Sequence, residues 1–333
     1  MNRFLRPILA AGMAAAAFAG NAPADRGAYA NRPEVRTFIS EMTERHGFVE
    51  RELVFLFSRV RRQAGALKAI APPTDAPLRS WQVYRARFVN DLRIAEGTAF
   101  WQANSAALER AAREHGVPEE IIVAIIGVET LYGRQSGGFR VIDALATLAF
   151  DYPPRAEFFR AELEQYLLLA RDRDLDVFSV KGSYAGAIGI PQFMPGSYRR
   201  YAVDFDGDGV ADLRASPADA IGSVANFLRM HGWKRGELIA LPAQVNGAAH
   251  RAMLDAGIEP RIPIGELRQY GVETRSSLAL ATPVALIDLE TPGTPTEYRL
   301  GLQNFYVLTR YNRASFYAAA VMDLAAAMRA AGR

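Results

Sequence analysis

The chain has no cysteine among its 333 residues. That excludes disulfides, thiolate metal sites, cysteine nucleophiles and a lipid carried on cysteine. Histidine is scarce too: His46, His115, His231 and His250 are scattered, with no His-Glu-x-x-His pair to hold a zinc ion. No Gly-x-Ser-x-Gly elbow exposes a nucleophilic serine. There is no internal repeat, and no basic stripe or basic–aromatic repeat that would suit nucleic acid. The formal charge of +3 points to no acidic partner either. Without residues 1–24, which hold Arg3 and Arg6 and no acid, 37 basic and 36 acidic residues remain. They are interleaved along helices, as on ordinary solvated faces.

What is present begins with a leader. Arg3 and Arg6 precede the apolar run Pro7 to Ala19, which ends in Ala17-Phe18-Ala19, with Ala22-Pro23-Ala24 as a second small-x-small site. The run is too short to span a bilayer. Residues 1–24 therefore read as a cleaved signal peptide and the mature chain as a soluble periplasmic protein; a retained N-terminal anchor is the alternative. Half of the residues are hydrophobic, enough for a large core or two to three domains.

Periodicity gives mostly helix. Pro33 to His46 spaces Val35, Phe38, Ile39 and Met42 on one face, with a stop at Gly47. Helices are expected over Glu50 to Gln63, in one long stretch from Ser80 to about His115, over Asp143 to Phe150, from Pro154 to about Arg173, and from Ala314 to Ala331. Ala71 to Pro77 reads as a loop. Ser216 as N-cap with Pro217 behind it starts a helix through Met230. From Glu237 to Gln303 the pattern changes to short apolar runs between Gly and Pro: Leu238 to Leu241, Leu278 to Leu280 and Ala285 to Ile287. These suggest a small β-rich subdomain.

Three segments carry chemistry. The first is Val117 to Gly133, where Ile121 to Val128 is apolar without a break and is followed by Glu129. Pro118 in the first turn, ahead of Glu119 and Glu120, marks a helix start, and Gly133 a stop. A helix apolar on every face is buried. A lone carboxyl on it loses solvation, which raises its pKa by up to roughly 3–5 units at full burial. An acid still protonated near neutral pH can act as a general acid. Pairing of Glu129 with Arg134, or an outward-facing side chain, stays open.

The second segment is Asp204-Phe205-Asp206-Gly207-Asp208-Gly209-Val210-Ala211-Asp212. It matches the front half of a calcium loop: Asp204, Asp206 and Asp208 at positions 1, 3 and 5, Gly209 at the turn, and the Val210 carbonyl at position 7. Carboxylates this dense repel unless a cation lies among them. The back half departs, since the twelfth position is Ala215. Asp212 or Asp219 must complete the shell, and a structural Ca2+ is expected. An acidic turn without metal is the plainer alternative.

The third is Lys181 to Tyr198, with four glycines through which backbone can approach a ligand. Its spacing fits neither a dinucleotide nor a phosphate loop. Ser183 and Gln192 supply hydrogen-bonding groups among aromatics, a mixture that suits a saccharide as well as a tight structural loop.

Taken in order, Gly-Val-Glu-Thr at 127–130, Asp143 to Arg155, Tyr184-Ala-Gly-Ala-x-Gly-x-x-Gln-Phe-Met-Pro195, the aspartate loop, and Asp219 to Phe227 resemble the membrane-bound lytic murein transglycosylase B family. Gly301 to Tyr306 and Arg310-Tyr311-Asn312 resemble its closing segment, so the likeness runs from about residue 33 to 328. It implies a mainly α (α+β) fold with an N-terminal helical domain (30–112), a lysozyme-like catalytic core (113–235) with the calcium loop at 204–219, a small β-rich subdomain (236–301) and a return to the core (302–333).

The implied activity is cleavage of the β-1,4 bond between N-acetylmuramic acid and N-acetylglucosamine, leaving 1,6-anhydromuramoyl ends. Glu129 would be the single acid and base. Ser183 and Gln192 would contact the glutamate and the substrate acetamide region, while Tyr84, Tyr311, Asn312 and Tyr317 would line the groove; core packing is the alternative for Tyr84 and Tyr317. Phe158 and Phe227 stand where members carry aromatic hydroxyls, which alters the sugar subsites. Partners implied are peptidoglycan glycan strands and other cell-wall enzymes, for a monomer without organic cofactor and without nucleic acid. A lysozyme-type hydrolase and a non-catalytic peptidoglycan binder remain the rival functions.

Overall fold

Asparagines cut the long helical stretch that periodicity suggests for Ser80 to His115. In the computed structural model, which describes residues 29–71 and 80–332, this stretch is three helices. The Asn90 side chain accepts from Arg93 N–H at 3.0 Å and starts a new helix; Asn104 donates to Phe100 O at 2.8 Å and closes it. Local side-chain bonds of this kind compete with the helical ladder. The leader, and the loop beyond Ala71, lie outside the described residues.

The helices run α1 Pro33–His46, α2 Glu50–Arg59, α3 Ala64–Ile70, α4 Trp81–Phe88, α5 Asp91–Ala103, α6 Ser105–His115, α7 Glu119–Thr130, α8 Val141–Asp151, α9 Ala156–Asp172, α10 Pro195–Tyr201, α11 Pro217–Met230, α12 Arg251–Asp255, α13 Gln303–Tyr311 and α14 Ser315–Ala331. The α1 stop is as expected, with Gly47 left-handed at φ 68°. The second helix ends four residues earlier than its periodicity suggests. Arg61 N–H bonds to Asp143 at 3.0 Å and Gln63 N–H to Thr147 at 2.9 Å, so tertiary acceptors on α8 take the amides a longer helix would use. Ser216 caps α11 by accepting from Asp219 N–H at 3.1 Å, and Pro217 follows it.

Strands β1 (Phe139–Arg140) and β2 (Lys181–Gly182) form a two-residue ladder that ties the chain after α7 to the glycine-rich segment. The remaining strands, β3 Ala240–Val245, β4 Ile262–Pro263, β5 Val272–Glu273, β6 Pro283–Leu289 and β7 Glu297–Gly301, make an antiparallel sheet in the order β4-β6-β7-β3-β5. Leu278 to Leu280 is not a strand, and Leu280 is well exposed.

The unbroken apolar run in β6 has a geometric cause. Side chains alternate across a strand. Ala285, Ile287 and Leu289 enter the main helical core, whereas Val284 and Leu286 join a second, smaller core with Met253, Leu267, Val272, Leu300 and Leu302. One face of β6 thus belongs to the helical body and the other to the small core of the sheet. Within that body α7 is central, with α14, α5, α11 and α6 packed around it. Ala318, Ala319 and Ala320, all fully buried, let α14 approach closely.

Candidate active site

Ile121 to Val128 and Thr130 are all buried, so α7 is apolar on every side as its composition requires. Its boundaries differ from expectation by a residue or two. Pro118 is the N-cap rather than the first helical residue, and the stop is Leu131 rather than Gly133. Leu131 (φ 49°) and Tyr132 (φ 60°) are both left-handed. Such conformations cost a non-glycine residue about 1–3 kcal/mol and persist only when packing over-determines them.

Here the packing is visible. The Tyr132 hydroxyl donates to Arg93 O at 2.8 Å. Its ring fills the space a Cβ would need at Gly97 on α5 and at Gly127 on α7, each of which would come within 2.5 Å of the phenol. Thr130 fixes the other side, donating to Ile190 O at 2.8 Å and accepting from Gly133 N–H at 2.9 Å. The turn directly after Glu129 is therefore locked to α5 on one side and to the glycine-rich segment on the other.

Glu129 itself is partly exposed at the residue level, while its carboxyl is buried. Burial pushes its pKa up from 4.5 to about 7, opposed in part by the Tyr317 hydroxyl, which donates to Oε1 at 2.7 Å. Arg134 is not its partner: that guanidinium pairs with Glu96 at 2.5 Å. The Tyr317 hydroxyl is raised well above its ordinary range, by burial first and then by the facing carboxyl. Tyr311 is raised likewise by burial and by Glu129, and donates to Pro191 O at 2.6 Å. Tyr84 feels the same two influences in the same order. The three tyrosines, from α4, α13 and α14, thus converge on one carboxyl, and Tyr311 and Tyr317 stack with planes 11° apart.

The glycine-rich segment meets the end of α7 through Ile190 and meets Tyr311 through Pro191. Ser183 Oγ accepts from Ala187 N–H at 3.0 Å and Ala185 N–H at 3.3 Å, leaving its own hydrogen to donate. Gln192 is left-handed (φ 53°), and its amide nitrogen donates to Gly189 O at 2.8 Å and Ser136 O at 3.0 Å. Its carbonyl oxygen is what remains for a ligand. Neither residue hydrogen-bonds Glu129; that contact belongs to Tyr317. The Asn312 side-chain oxygen is buried with no hydrogen-bond partner.

Other expected groove residues stand further back. Phe227 is 6% exposed and packs on Tyr311 at 4.9 Å, Phe193 at 5.6 Å and His231 at 4.0 Å, supporting Tyr311 from behind. Tyr317 is fully buried and lines the carboxyl rather than an open surface. Phe158 is half-buried, with Phe159 at 5.1 Å and the Arg155 guanidinium over its ring at 4.4 Å. A second carboxyl raised by burial, Glu162, is committed to Gly196 N–H at 2.8 Å.

The aspartate loop folds around one buried side chain. Asp219 accepts from Phe205 N–H at 2.7 Å, Asp206 N–H at 3.3 Å and Asp212 N–H at 2.7 Å. Asp204 accepts from Gly207 and Gly209 N–H at 2.7 and 2.8 Å. Carboxylate oxygens of Asp204, Asp206 and Asp219 lie within 4.8 Å of one another. Asp208 is outside this group and accepts from Val210 N–H at 2.8 Å. Of the two candidates for the back half, Asp219 joins the cluster, while Asp212 is turned to Arg214 at 3.2 Å. The helix start at Ser216 explains this: it carries Asp219 back under the loop.

Comparison with known proteins agrees with this architecture. A family model described as transglycosylase SLT domain matches residues 30–326. Membrane-bound lytic murein transglycosylase B of Escherichia coli (strain K12) is 43% identical over 310 residues, 91% of this chain and 84% of the relative. Among solved structures, catenated lytic transglycosylase SltB1 from Pseudomonas aeruginosa superposes with a TM-score of 0.86 at 47% identity, covering 92% of this chain and 100% of that one. The Escherichia coli lytic transglycosylase Slt35 in complex with calcium does so at 0.80 and 41%, covering 91% and 95%. SltB3 from Pseudomonas aeruginosa in complex with NAG-anhNAM-pentapeptide follows at 0.76 and 30%, covering 90% and 80%.

Matches of this extent fix the class as a lytic transglycosylase with a lysozyme-like core and a small sheet subdomain. The chain belongs to the transglycosylase SLT-domain family, with the membrane-bound lytic murein transglycosylase B proteins. Among the described residues, no helix is long and apolar enough to cross a membrane. Thr130 and Tyr132 were not singled out from sequence. The Glu-Thr-x-Tyr-Gly order directly after an apolar helix was the available signal.

Proposed function

We propose that Glu129 is the single acid and base of a peptidoglycan lytic transglycosylase acting between N-acetylmuramic acid and N-acetylglucosamine. The observation that carries this reading is the enclosed carboxyl of Glu129, held near pKa 7 with one hydroxyl donor and three aromatic walls. Protonated, it donates to the glycosidic oxygen as the bond from muramoyl C1 breaks. As a carboxylate it then takes the proton of the muramoyl C6 hydroxyl, whose oxygen forms the new bond to C1. The proton removed from O6 replaces the one given to the departing sugar, no water is consumed, and the product is a 1,6-anhydromuramoyl end. A single carboxyl suffices where the substrate's own groups serve as nucleophile, an exception to the two-carboxylate scheme.

The Gln192 carbonyl oxygen, the Ser183 hydroxyl and the Asn312 oxygen are read as contacts for the acetamide region and sugar hydroxyls. Tyr84, Tyr311 and Phe158 are read as walls for the apolar sugar faces. The aspartate loop is read as a calcium site. Hard carboxylate oxygens of Asp204, Asp206 and Asp219, with Asp208 and the Val210 carbonyl at hand, suit Ca2+ better than softer metals. Bound there, the ion would neutralise the clustered charge and hold the start of α11. The leader and the murein substrate together favour export to the periplasm, with glycan strands as partner of a monomer. The helical domain 30–112, the core 113–235 and the β-rich subdomain 236–301 are the units we assign.

The test is mass spectrometry of products from purified sacculi, with Glu129→Gln alongside the parent. Anhydro-ended muropeptides from the parent alone support the reading. Reducing ends gained with water would make the protein a hydrolase, and equal products from both would move the chemistry off Glu129.

A further inference from the structure

The three tyrosines around the Glu129 carboxyl all lie on helices, yet the small sheet is wired to two of them. Asp323 lies on α14, the helix that carries Tyr317, and its carboxylate takes two arginines. Arg85 Nε donates to it at 2.6 Å from α4, where Arg85 is the residue next to Tyr84. Arg299 Nη1 donates at 2.8 Å from β7. The Asp323 and Arg299 side chains are each only 15% exposed.

Arg299 also pairs with Glu297 at 2.6 Å and lies over the Trp81 ring at 5.7 Å. Trp81 is held to the sheet region as well, its N–H donating to Glu290 O at 2.6 Å and its indole to Glu297 at 3.3 Å. The Trp81 ring stacks on Tyr84 at 6.4 Å, and both rings pack on Phe316, the neighbour of Tyr317.

We propose that Asp323 is a positioning residue: it clamps α4 and β7 onto α14, so that Tyr84 and Tyr317 stay closed over Glu129. Removing Asp323 takes away the carboxylate that Arg85 donates to and leaves Arg299 with Glu297 alone. Without the Asp323 charge, the Arg85 and Arg299 guanidinium groups repel, α4 and α14 part, and water reaches the Glu129 carboxyl. The titratable groups that face that carboxyl are Tyr84 from α4, Tyr311 from α13 and Tyr317 from α14. Only the first and last are moved by the clamp.

This inference rests on Glu129 being the acid. The experiment is therefore a set of pH–rate profiles on soluble uncrosslinked glycan strands for the parent, Asp323→Asn and Arg85→Gln. Arg329→Gln serves as a control, because Arg329 lies on α14 like Asp323 but pairs with Glu120 of α7 at 2.8 Å, outside the clamp. For the parent, activity falls as pH rises through the Glu129 titration. In Asp323→Asn and Arg85→Gln that alkaline limb is expected at lower pH, with KM within about twofold and kcat at pH 7 down about fivefold for the first unit the limb moves and about tenfold for each further unit.

Arg329→Gln is expected to leave the limb in place. Should Asp323→Asn not fold, Arg85→Gln alone decides, since it removes a half-exposed arm. A limb unmoved in both clamp variants, whether or not thermal stability drops, overturns the positioning role while leaving Glu129 as the acid. A parent with no alkaline limb overturns both.

Discussion

Two clusters of carboxyl groups in this molecule answer opposite requirements. At the end of α7, one acid meets no cation. Its titratable neighbours are tyrosines, and burial disfavours its charged form until about pH 7. In the loop at 204–219, acids crowd within 4.8 Å, and backbone amides donate hydrogen bonds to Asp204 and Asp219. On the proposed reading, the same functional group serves as a proton donor in one place and as a hard cage for a cation in the other. What differs is whether N–H donors or apolar walls surround it. This difference also separates the proposed tasks: reaction at Glu129, scaffold at Asp219.

The sharpest way to break that separation is to neutralise each centre in turn. Glu129→Gln is expected to lower muropeptide release by about a thousandfold or more, at the upper end of what a general acid contributes. Its effect on stability should run the other way. The Glu129 pKa is raised on folding, so the unfolded chain ionises first as pH rises. The folded parent is then progressively disfavoured between pH 4.5 and about 7, and by a constant amount above that. Thermal unfolding should find parent and variant equal at pH 4 and the variant more stable at pH 8; a variant less stable at pH 8 would contradict the enclosure argument.

Asp219→Ala should reverse the pattern. It strips acceptors from three backbone amides, at about 1–3 kcal/mol for each one left buried and unsatisfied. A loss of about 3 kcal/mol or more in denaturant unfolding is expected, with turnover per folded molecule unchanged. Turnover that collapses while the fold holds would merge the two centres. Smaller again is the effect of the ion. Chelation should lower the midpoint of thermal unfolding of the parent by a few degrees and added Ca2+ should restore it, since a ligand that binds only the folded state stabilises by mass action. Asp204→Asn should weaken that response, and Glu129→Gln should leave it intact.

The mildest test is Tyr317→Phe. It removes a donor that favours the Glu129 carboxylate, so the acid's pKa rises and the alkaline limb of the pH–rate profile moves to higher pH. A limb displaced to lower pH would mean that the hydroxyl matters more for enclosure than for hydrogen bonding.

Much of this contrast was legible in the sequence because it rests on local rules. An unbroken apolar run reads as a buried helix, and the acid at its end as a candidate perturbed carboxyl beside the alternatives of a pair with Arg134 or an outward-facing side chain. Ser216-Pro217 marks a helix start whatever the surroundings, and the aspartate spacing of 204–208 points to a cation loop. What the sequence hid depends on distant partners. Nothing near Gln63 says that its helix stops because Asp143 and Thr147 wait on α8. Asp219 could not be preferred to Asp212 until α11 was seen to turn it under the loop. The rank order of Tyr84, Tyr311 and Tyr317 around Glu129 needs three helices from both ends of the chain. Phe227 reads as a groove aromatic by motif position and proves to be the support behind Tyr311.

The most direct measurement is the titration of the Glu129 side-chain carboxyl by carbon NMR, with Glu129→Gln used to assign the resonance. A midpoint near pH 7 is expected, well separated from the exposed glutamates. A midpoint near 4.5 would show an ordinary solvated carboxylate and contradict the claim that this environment makes Glu129 an acid.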